Sequence, residues 1–332
     1  MKYGVSIPLL IDRDDSEPCR ETYALCQTAE AAGFDFLTMG HHVFTPDYPT
    51  SAPFVVLAGI AARTSRIELA SVIYLLPLYH PVAVAEQVAM LDVISGGRVI
   101  FGCGVGYREY EFAGFGVDFH RRGARANEAL AAIRSAWETG RFNHHGSEFD
   151  IPDLPSVPLP VRKPHPPIWV GGESRGALRR AAKYGDGWVS ANVQPMEELL
   201  DLVSTYRALC HEAARQPFVC LSRDAWVVES KDELLAEWYP EMAKRHAHLK
   251  SVGLAVPSAA SAETTLDSFI QDRAIAGTPA DCVGQIGKWR EQSGCHALLL
   301  LLNKKASFER LQSAIKLFGE KVLPAARSAA LA

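Results

Sequence analysis

The chain alternates short apolar runs with longer amphipathic or alanine-rich stretches along most of its length. Residues 66–75 predict a buried strand, and the stretch from His80-Pro81 through Leu91 is rich in residues that favour helices. Ser95-Gly96-Gly97 ends that helix, and 98–101 forms the next strand. Because strand, helix and strand follow one another with almost no spacer, the segment predicts a parallel βαβ unit.

The same alternation continues on both sides of this unit. Apolar runs predict eight strands, at residues 3–10, 36–40, 66–75, 98–101, 168–171, 187–191, 220–228 and 296–302. Strands that alternate with helices indicate a parallel sheet, and eight of them favour a closed (β/α)8 TIM barrel over an open sheet. At 332 residues with 48% hydrophobic residues, we expect residues 1–332 to form a single barrel domain.

Two stretches interrupt the alternation. Residues 141–163 are rich in proline and aromatic residues, which predicts an ordered excursion with a short hairpin near 142–151. Residues 232–276 form a longer excursion that contains a weakly anchored segment at 252–262. An insertion of this length before the last barrel strand predicts a lid over the barrel opening, with a passive surface elaboration as the alternative.

Composition narrows the classes of partner and compartment. A net charge of -4 with scattered basic residues argues against nucleic acid as a partner. The first residues enter a strand without a secretion signal, and no apolar run approaches the roughly 18 residues that span a bilayer. Seven cysteines without a Cys-x-x-Cys pair predict reduced thiols. We therefore expect a cytoplasmic protein with no membrane segment.

The loop Gly102-Cys103-Gly104-Val105-Gly106 follows the strand 98–101. Glycines at alternate positions let a backbone lie flat against a planar ligand, but the loop lacks the spacing of a dinucleotide or phosphate loop. A cofactor loop and a plain tight connection are therefore both compatible with these residues.

Six segments, in order along the chain, resemble the bacterial-luciferase-like family of flavin-dependent oxidoreductases and monooxygenases. They are residues 32–42, 76–81, 91–98, 166–172, 182–188 and 277–279. The resemblance implies a barrel enzyme, in particular a monooxygenase that takes reduced FMN from a separate reductase and acts with O2 on a small organic substrate. We also expect a homodimer.

His42 occupies the position of the histidine in the family's Glu-His-His motif, and His41 replaces the glutamate. The resemblance makes His42 the candidate catalytic residue, because imidazole can hydrogen-bond or transfer a proton near neutral pH. Packing beneath the cofactor is the alternative role. No histidine pair has the spacing of a catalytic zinc site, so we expect no metal.

Gly172-Glu173-Ser174-Arg175-Gly176 follows a strand and precedes a helix. It matches the nucleophile elbow of serine hydrolases, although no upstream segment supplies an oxyanion hole. It also matches a helix start that presents N–H groups to a phosphate, with Ser174 as the cap, and this reading is favoured. We expect the cofactor to be bound by Gly171, Gly172, Glu173 and Ser174, together with Gly104, Gly106 and Tyr107.

The resemblance also implies a non-proline cis peptide behind the flavin ring, between Ser71 and Val72, and so adds these two residues to the cofactor site. A deazaflavin-dependent hydride-transfer enzyme shares most of the motifs and remains an alternative, as does a non-enzymatic flavin-binding protein. The pair Tyr79-His80 favours FMN over deazaflavin.

Overall fold

The computed structural model of the protein describes residues 1–45, 51–242, 244 and 266–329. The strands are β1 (Lys2–Ser6), β2 (Phe36–Met39), β3 (Glu68–Leu75), β4 (Val99–Gly104), β5 (Arg141–His145), β6 (Asp150–Pro155), β7 (Ile168–Gly171), β8 (Gly187–Val189), β9 (Val219–Val227), β10 (Ala274–Gly277) and β11 (Ala297–Leu301). The first helices are α1 (Arg20–Ala31), α2 (Pro53–Ala61), α3 (Pro81–Ser95), α4 (Glu109–Phe115), α5 (Arg122–Thr139), α6 (Arg175–Tyr184) and α7 (Met196–Glu212). Later helices are Lys231–Glu233, Leu266–Arg273, Pro279–Ser293, Phe308–Leu317 and Leu323–Ser328, with π-helical segments at Leu234–Trp238 and Phe318–Val322.

Contacts divide the chain into two compact units. The first comprises Met1–Leu37, Ser190–Thr205 and Phe218–Ala332, and the second comprises Thr38–Val189 and Tyr206–Pro217. The expectation of one domain over the whole chain stays a prediction.

In the first unit, β1 pairs with β11, β11 with β9, and β9 with β10, all in parallel. The strand β10 was not predicted, and its first three residues fall inside the excursion expected at 232–276. Ala274-Ile275-Ala276-Gly277 is buried, but it contains a single β-branched residue and directly follows a helix, so its strand signal is weak. The rest of that expectation, including the segment 252–262, lies largely outside the described residues.

In the second unit, β3, β4, β7 and β8 pair in this order, and all three pairings are parallel. Every residue of β4 is buried, as is usual for parallel strands that are covered on both faces. The helix α3 begins with Pro81 and ends at Gly96, which adopts φ 68°. The predicted βαβ unit is confirmed.

The hairpin expected in the first excursion is also confirmed, because β5 and β6 pair in antiparallel fashion. Glu128 of α5 holds its turn by accepting hydrogen bonds from the backbone N–H groups of Ser147, Glu148 and Phe149 at 3.0, 3.0 and 3.1 Å. Burial raises the pKa of Glu128, but these bonds together with the Ser147 and His144 side chains outweigh it and lower the pKa to about 2. The ionised carboxylate is therefore part of the hairpin's structure.

Candidate functional site

The predicted site residues in the second unit follow the C-terminal ends of neighbouring strands. His41 and His42 follow β2, Tyr107 follows β4, and the loop 172–174 follows β7. The strand order β2-β3-β4-β7 and the parallel pairings place these ends at one edge of the sheet. In parallel α/β folds, this edge carries the binding and catalytic groups.

His42 is held by a residue that the sequence did not single out. Its Nδ1 lies 2.9 Å from Oε1 of Glu111, which also accepts the N–H of Val43 at 3.0 Å. The His42 side chain is 20% exposed, whereas that of Glu111 is 0% exposed. The pair thus joins an accessible imidazole to a buried carboxylate, an arrangement that suits proton exchange.

His41, next to His42 in the chain, is buried. Its Nδ1 accepts the N–H of Leu75 at 3.2 Å, its Nε2 lies 3.3 Å from the hydroxyl of Tyr79, and its ring stacks on Tyr74 with centroids 4.7 Å apart. Burial, helped by the nearby charge of His42 and opposed by Glu111, lowers the pKa of His41 to about 4. His41 is therefore neutral near pH 7, and its role is structural: the ring is buried, stacked and hydrogen-bonded.

The cis peptide bond joins Val72 to Ile73, so its predicted position between Ser71 and Val72 is wrong by one residue. Ser71 keeps the regular pairing of β3 with Phe101 of β4, and its Oγ donates to the carbonyl of Gly102 at 2.9 Å. The register shifts only between Ser71 and Tyr74. The irregular backbone therefore begins after Ser71.

The side chain of Ile73 fills the space beside two of the predicted cofactor glycines. A Cβ added at Gly104 would lie 2.2 Å from Ile73 Cδ1, and one added at Gly171 would lie 2.7 Å from Ile73 Cγ2. These glycines therefore allow close packing against β3. Whether they and Ser71 or Val72 also contact a cofactor stays a prediction.

Tyr107 borders His42 on the side of the glycine loop. The two rings meet edge to face with centroids 5.7 Å apart, and the guanidinium of Arg108 lies 5.4 Å from the Tyr107 centroid. Burial raises the pKa of Tyr107, partly opposed by Arg108. The turn before Tyr107 is made by Gly106, whose φ of 77° favours glycine.

The predicted phosphate loop begins α6 as expected. Ser174 is the N-cap residue, and its Oγ accepts the N–H of Ala177 at 3.2 Å. Gly172 adopts φ 124°, and its carbonyl accepts a hydrogen bond of 2.9 Å from Nε1 of the buried Trp188. The indole thus fixes the loop from inside, and Glu173 lies half-buried within it.

The described part of the chain contains neither a cluster of metal ligands nor a membrane-spanning helix. No three histidine, cysteine, aspartate or glutamate side chains there are grouped so that they could hold a metal ion. His246 and His248, which are separated by one residue in the sequence, lie outside the described residues. No described helix is both long enough and apolar enough to cross a membrane.

Comparison with known proteins identifies relatives of this chain. The profile of the luciferase-like monooxygenase family matches residues 1–297. The FMNH2-dependent dimethylsulfone monooxygenase of Pseudomonas putida is 26% identical over 326 residues, which cover 91% of this chain and 86% of that protein. The oxygenase component of the flavin-dependent trigonelline monooxygenase of Acinetobacter baylyi is 28% identical over 64% of this chain, but the match spans only 60% of that protein.

A solved structure extends the likeness to the whole chain. The crystal structure of monooxygenase RslO1 from Streptomyces bottropensis superposes with a TM-score of 0.82 and 25% identity, covering 98% of this chain and 99% of that one. This likeness shows the predicted fold, a parallel TIM barrel with surrounding helices, to which β10 adds one strand beyond the eight predicted.

Proposed function

Because the chain belongs to the luciferase-like monooxygenase family, we propose that it is a flavin-dependent monooxygenase that uses reduced FMN and O2 on a small organic substrate. The observation that carries the proposal is the His42–Glu111 pair beside Tyr107, at the strand edge that also bears the start of α6. The reduced FMN would come from a separate reductase, and we place the reaction in the cytoplasm.

The start of α6 fits the phosphate of a flavin mononucleotide. Ser174 satisfies the N–H of Ala177, while the N–H groups of Arg175 and Gly176 belong to the first turn, where no carbonyl of the helix can accept them. A Cβ added at Gly176 would meet only the Ser174 side chain, at 3.8 Å, so the backbone there can be approached closely. Such a helix start favours a bound anion.

The chain's own residues would manage water and protons at the site. When bound, reduced FMN would supply the electrons that activate O2. Phe54 and Tyr74 stack with centroids 4.5 Å apart, and Tyr79 packs against Tyr74. This aromatic cluster would limit the access of water to the site. His42 would accept or donate the proton that the reaction exchanges, while His41 stays neutral.

Reconstitution tests the proposal. The purified protein should bind reduced FMN and, with a flavin reductase, consume O2 while oxidising an organic substrate. His42→Ala should keep FMN affinity but lower substrate oxidation by about 10²-fold or more, the scale of a lost general acid or base. Unchanged, fully coupled turnover in this variant would remove His42 from the mechanism.

The same experiment separates the alternatives. Binding of a deazaflavin in place of FMN would establish the hydride-transfer enzyme, and flavin binding without any turnover would indicate a binding protein. Ester hydrolysis without flavin binding would indicate a serine hydrolase. Against the last, the hydrogen bond that the described residues give Ser174 Oγ is with the Ala177 backbone, not with a histidine.

We further propose that the protein is a homodimer that pairs through α2 and α3. Large apolar side chains on these packed helices are exposed: Val55 is 72% exposed, Met90 47%, Val93 43% and Ile94 51%. Several exposed apolar side chains on neighbouring helices favour a protein partner. Light scattering should give a dimer mass, and Val93→Glu should yield monomers; a monomeric wild-type protein would contradict the proposal.

A further inference from the structure

We propose that Glu111 is the positioning residue of His42 and fixes its ring in the tautomer that carries hydrogen on Nδ1. In that tautomer, Nε2 is the atom through which His42 takes up or gives up a proton. The role of this proton in turnover rests on the proposed function. The tautomer itself does not.

The backbone of Val43 determines which way the hydrogen bond runs. A peptide N–H is always a donor, and that of Val43 points at Oε1 of Glu111 from 3.0 Å. Oε1 is therefore an acceptor, and His42 Nδ1 faces the same oxygen from 2.9 Å. When Glu111 is ionised, Oε1 has no hydrogen to donate, so an Nδ1 without hydrogen would place two acceptors face to face at that distance. Nδ1 must therefore donate.

Burial makes this preference strong. The Glu111 side chain is 0% exposed, and its second oxygen, Oε2, is buried without a hydrogen-bond partner among the described residues. Burial limits the access of water to Oε1, and its two hydrogen-bond donors among the described residues are Val43 and His42. The ring of Tyr107 also borders His42, at an interplanar angle of 80° with centroids 5.7 Å apart.

Two substitutions separate the charge of Glu111 from its acceptor oxygen. In Glu111→Gln, the amide oxygen can keep both hydrogen bonds, because its NH2 group takes the place of the unpartnered Oε2. In Glu111→Ala, both Val43 and His42 lose their acceptor. Glutamine should therefore preserve the tautomer, whereas alanine should release it.

Glu109→Gln is the matched control. Glu109 lies in the first turn of the same helix, α4, but is exposed. Its substitution removes the same charge from the same helix without removing a described bond to His42. The control spectrum should match that of the wild type.

Nitrogen NMR of protein labelled selectively at histidine reads the tautomer directly, at a pH where the His42 ring is neutral. The His42 signals are assigned by their loss in His42→Asn. We expect the wild type and Glu111→Gln to show hydrogen on Nδ1, and Glu111→Ala to show a mixture or hydrogen on Nε2.

Hydrogen on Nε2 in the wild type would overturn the proposal, as would an unchanged tautomer in a folded Glu111→Ala protein. If the alanine variant does not fold, the wild-type and glutamine spectra still decide. The measurement needs neither flavin nor O2. A protein that failed to oxidise any substrate would therefore refute the proposed function but leave this inference standing.

Discussion

Replacing Trp188 by phenylalanine should weaken the binding of FMN more than the binding of riboflavin. Trp188 is fully buried, and its Nε1 donates to the carbonyl of Gly172 at 2.9 Å. Gly172 adopts φ 124° immediately before the loop that we assign to the phosphate. Phenylalanine keeps an aromatic ring in the core but cannot hold this carbonyl, so the loop should lose its fixed position.

The size of the effect follows from the lost hydrogen bond. One such bond contributes about 0.5–1.5 kcal/mol net, and a buried acceptor left unpaired costs about 1–3 kcal/mol. If this loss weakens the binding of the phosphate by the full amount, the dissociation constant of FMN should rise about 2- to 150-fold. Riboflavin lacks the phosphate, so its affinity should change much less.

Titration calorimetry with both flavins measures the difference, and Trp226→Phe is the matched control. Trp226 is 2% exposed, and its Nε1 has no hydrogen-bond partner among the described residues. The control therefore removes the same atoms from a buried indole without removing a hydrogen bond. Equal losses of FMN and riboflavin affinity in Trp188→Phe, or no loss beyond that of the control, would refute the reasoning.

Three further predictions, one of them with a control substitution, test separate parts of the structure. Ser174→Ala should weaken FMN binding by about 0.5–1.5 kcal/mol and spare riboflavin, by the same calorimetry. Gly102→Ala should lower the melting temperature, because the added Cβ would lie 2.1 Å from the carbonyl oxygen of Ser71. Gly284→Ala is the control: a Cβ added there would have no described neighbour within 4 Å, so this substitution in a helix should raise the melting temperature slightly. Glu128→Gln should destabilise the protein by roughly 1 kcal/mol at neutral pH, because solvent screens much of the charge of this carboxylate. Because the folded pKa of Glu128 is depressed from 4.5 to about 2, urea unfolding should show this difference above pH 4.5 and lose it as the pH falls towards 2.

The alternation of strands and helices and the positions of several helix ends could be predicted from the sequence, because their causes are local. The helix α3 starts at a proline and stops at a glycine, and Ser174 caps α6 through its own hydroxyl. The short strand β10 was missed, since three of its four residues are alanine or glycine, which carry little strand preference, and the strand depends on pairing with β9. The cis peptide was displaced by one residue, because the register shift that locates it depends on β4.

The site shows the same limit at the level of single side chains. Glu109 and Glu111 both stand in the first turn of α4, and no local signal distinguishes them. Only tertiary packing exposes Glu109 and buries Glu111 against His42. The sequence could therefore predict the histidine, through its family position, but not the carboxylate that orients it.

The glycines of β4 and β7 could be interpreted only in part from the sequence. A glycine in a strand indicates that something approaches the backbone closely, but not what approaches it. In this protein, Ile73 takes the space beside Gly104 and Gly171, so one side chain of β3 accounts for both. The contact requires all three strands to be in register, which no local pattern encodes. If a flavin binds at this edge of the sheet, as we propose, Ile73 would already be packed into the surface that it meets, and Ile73 has no signal of its own in the sequence.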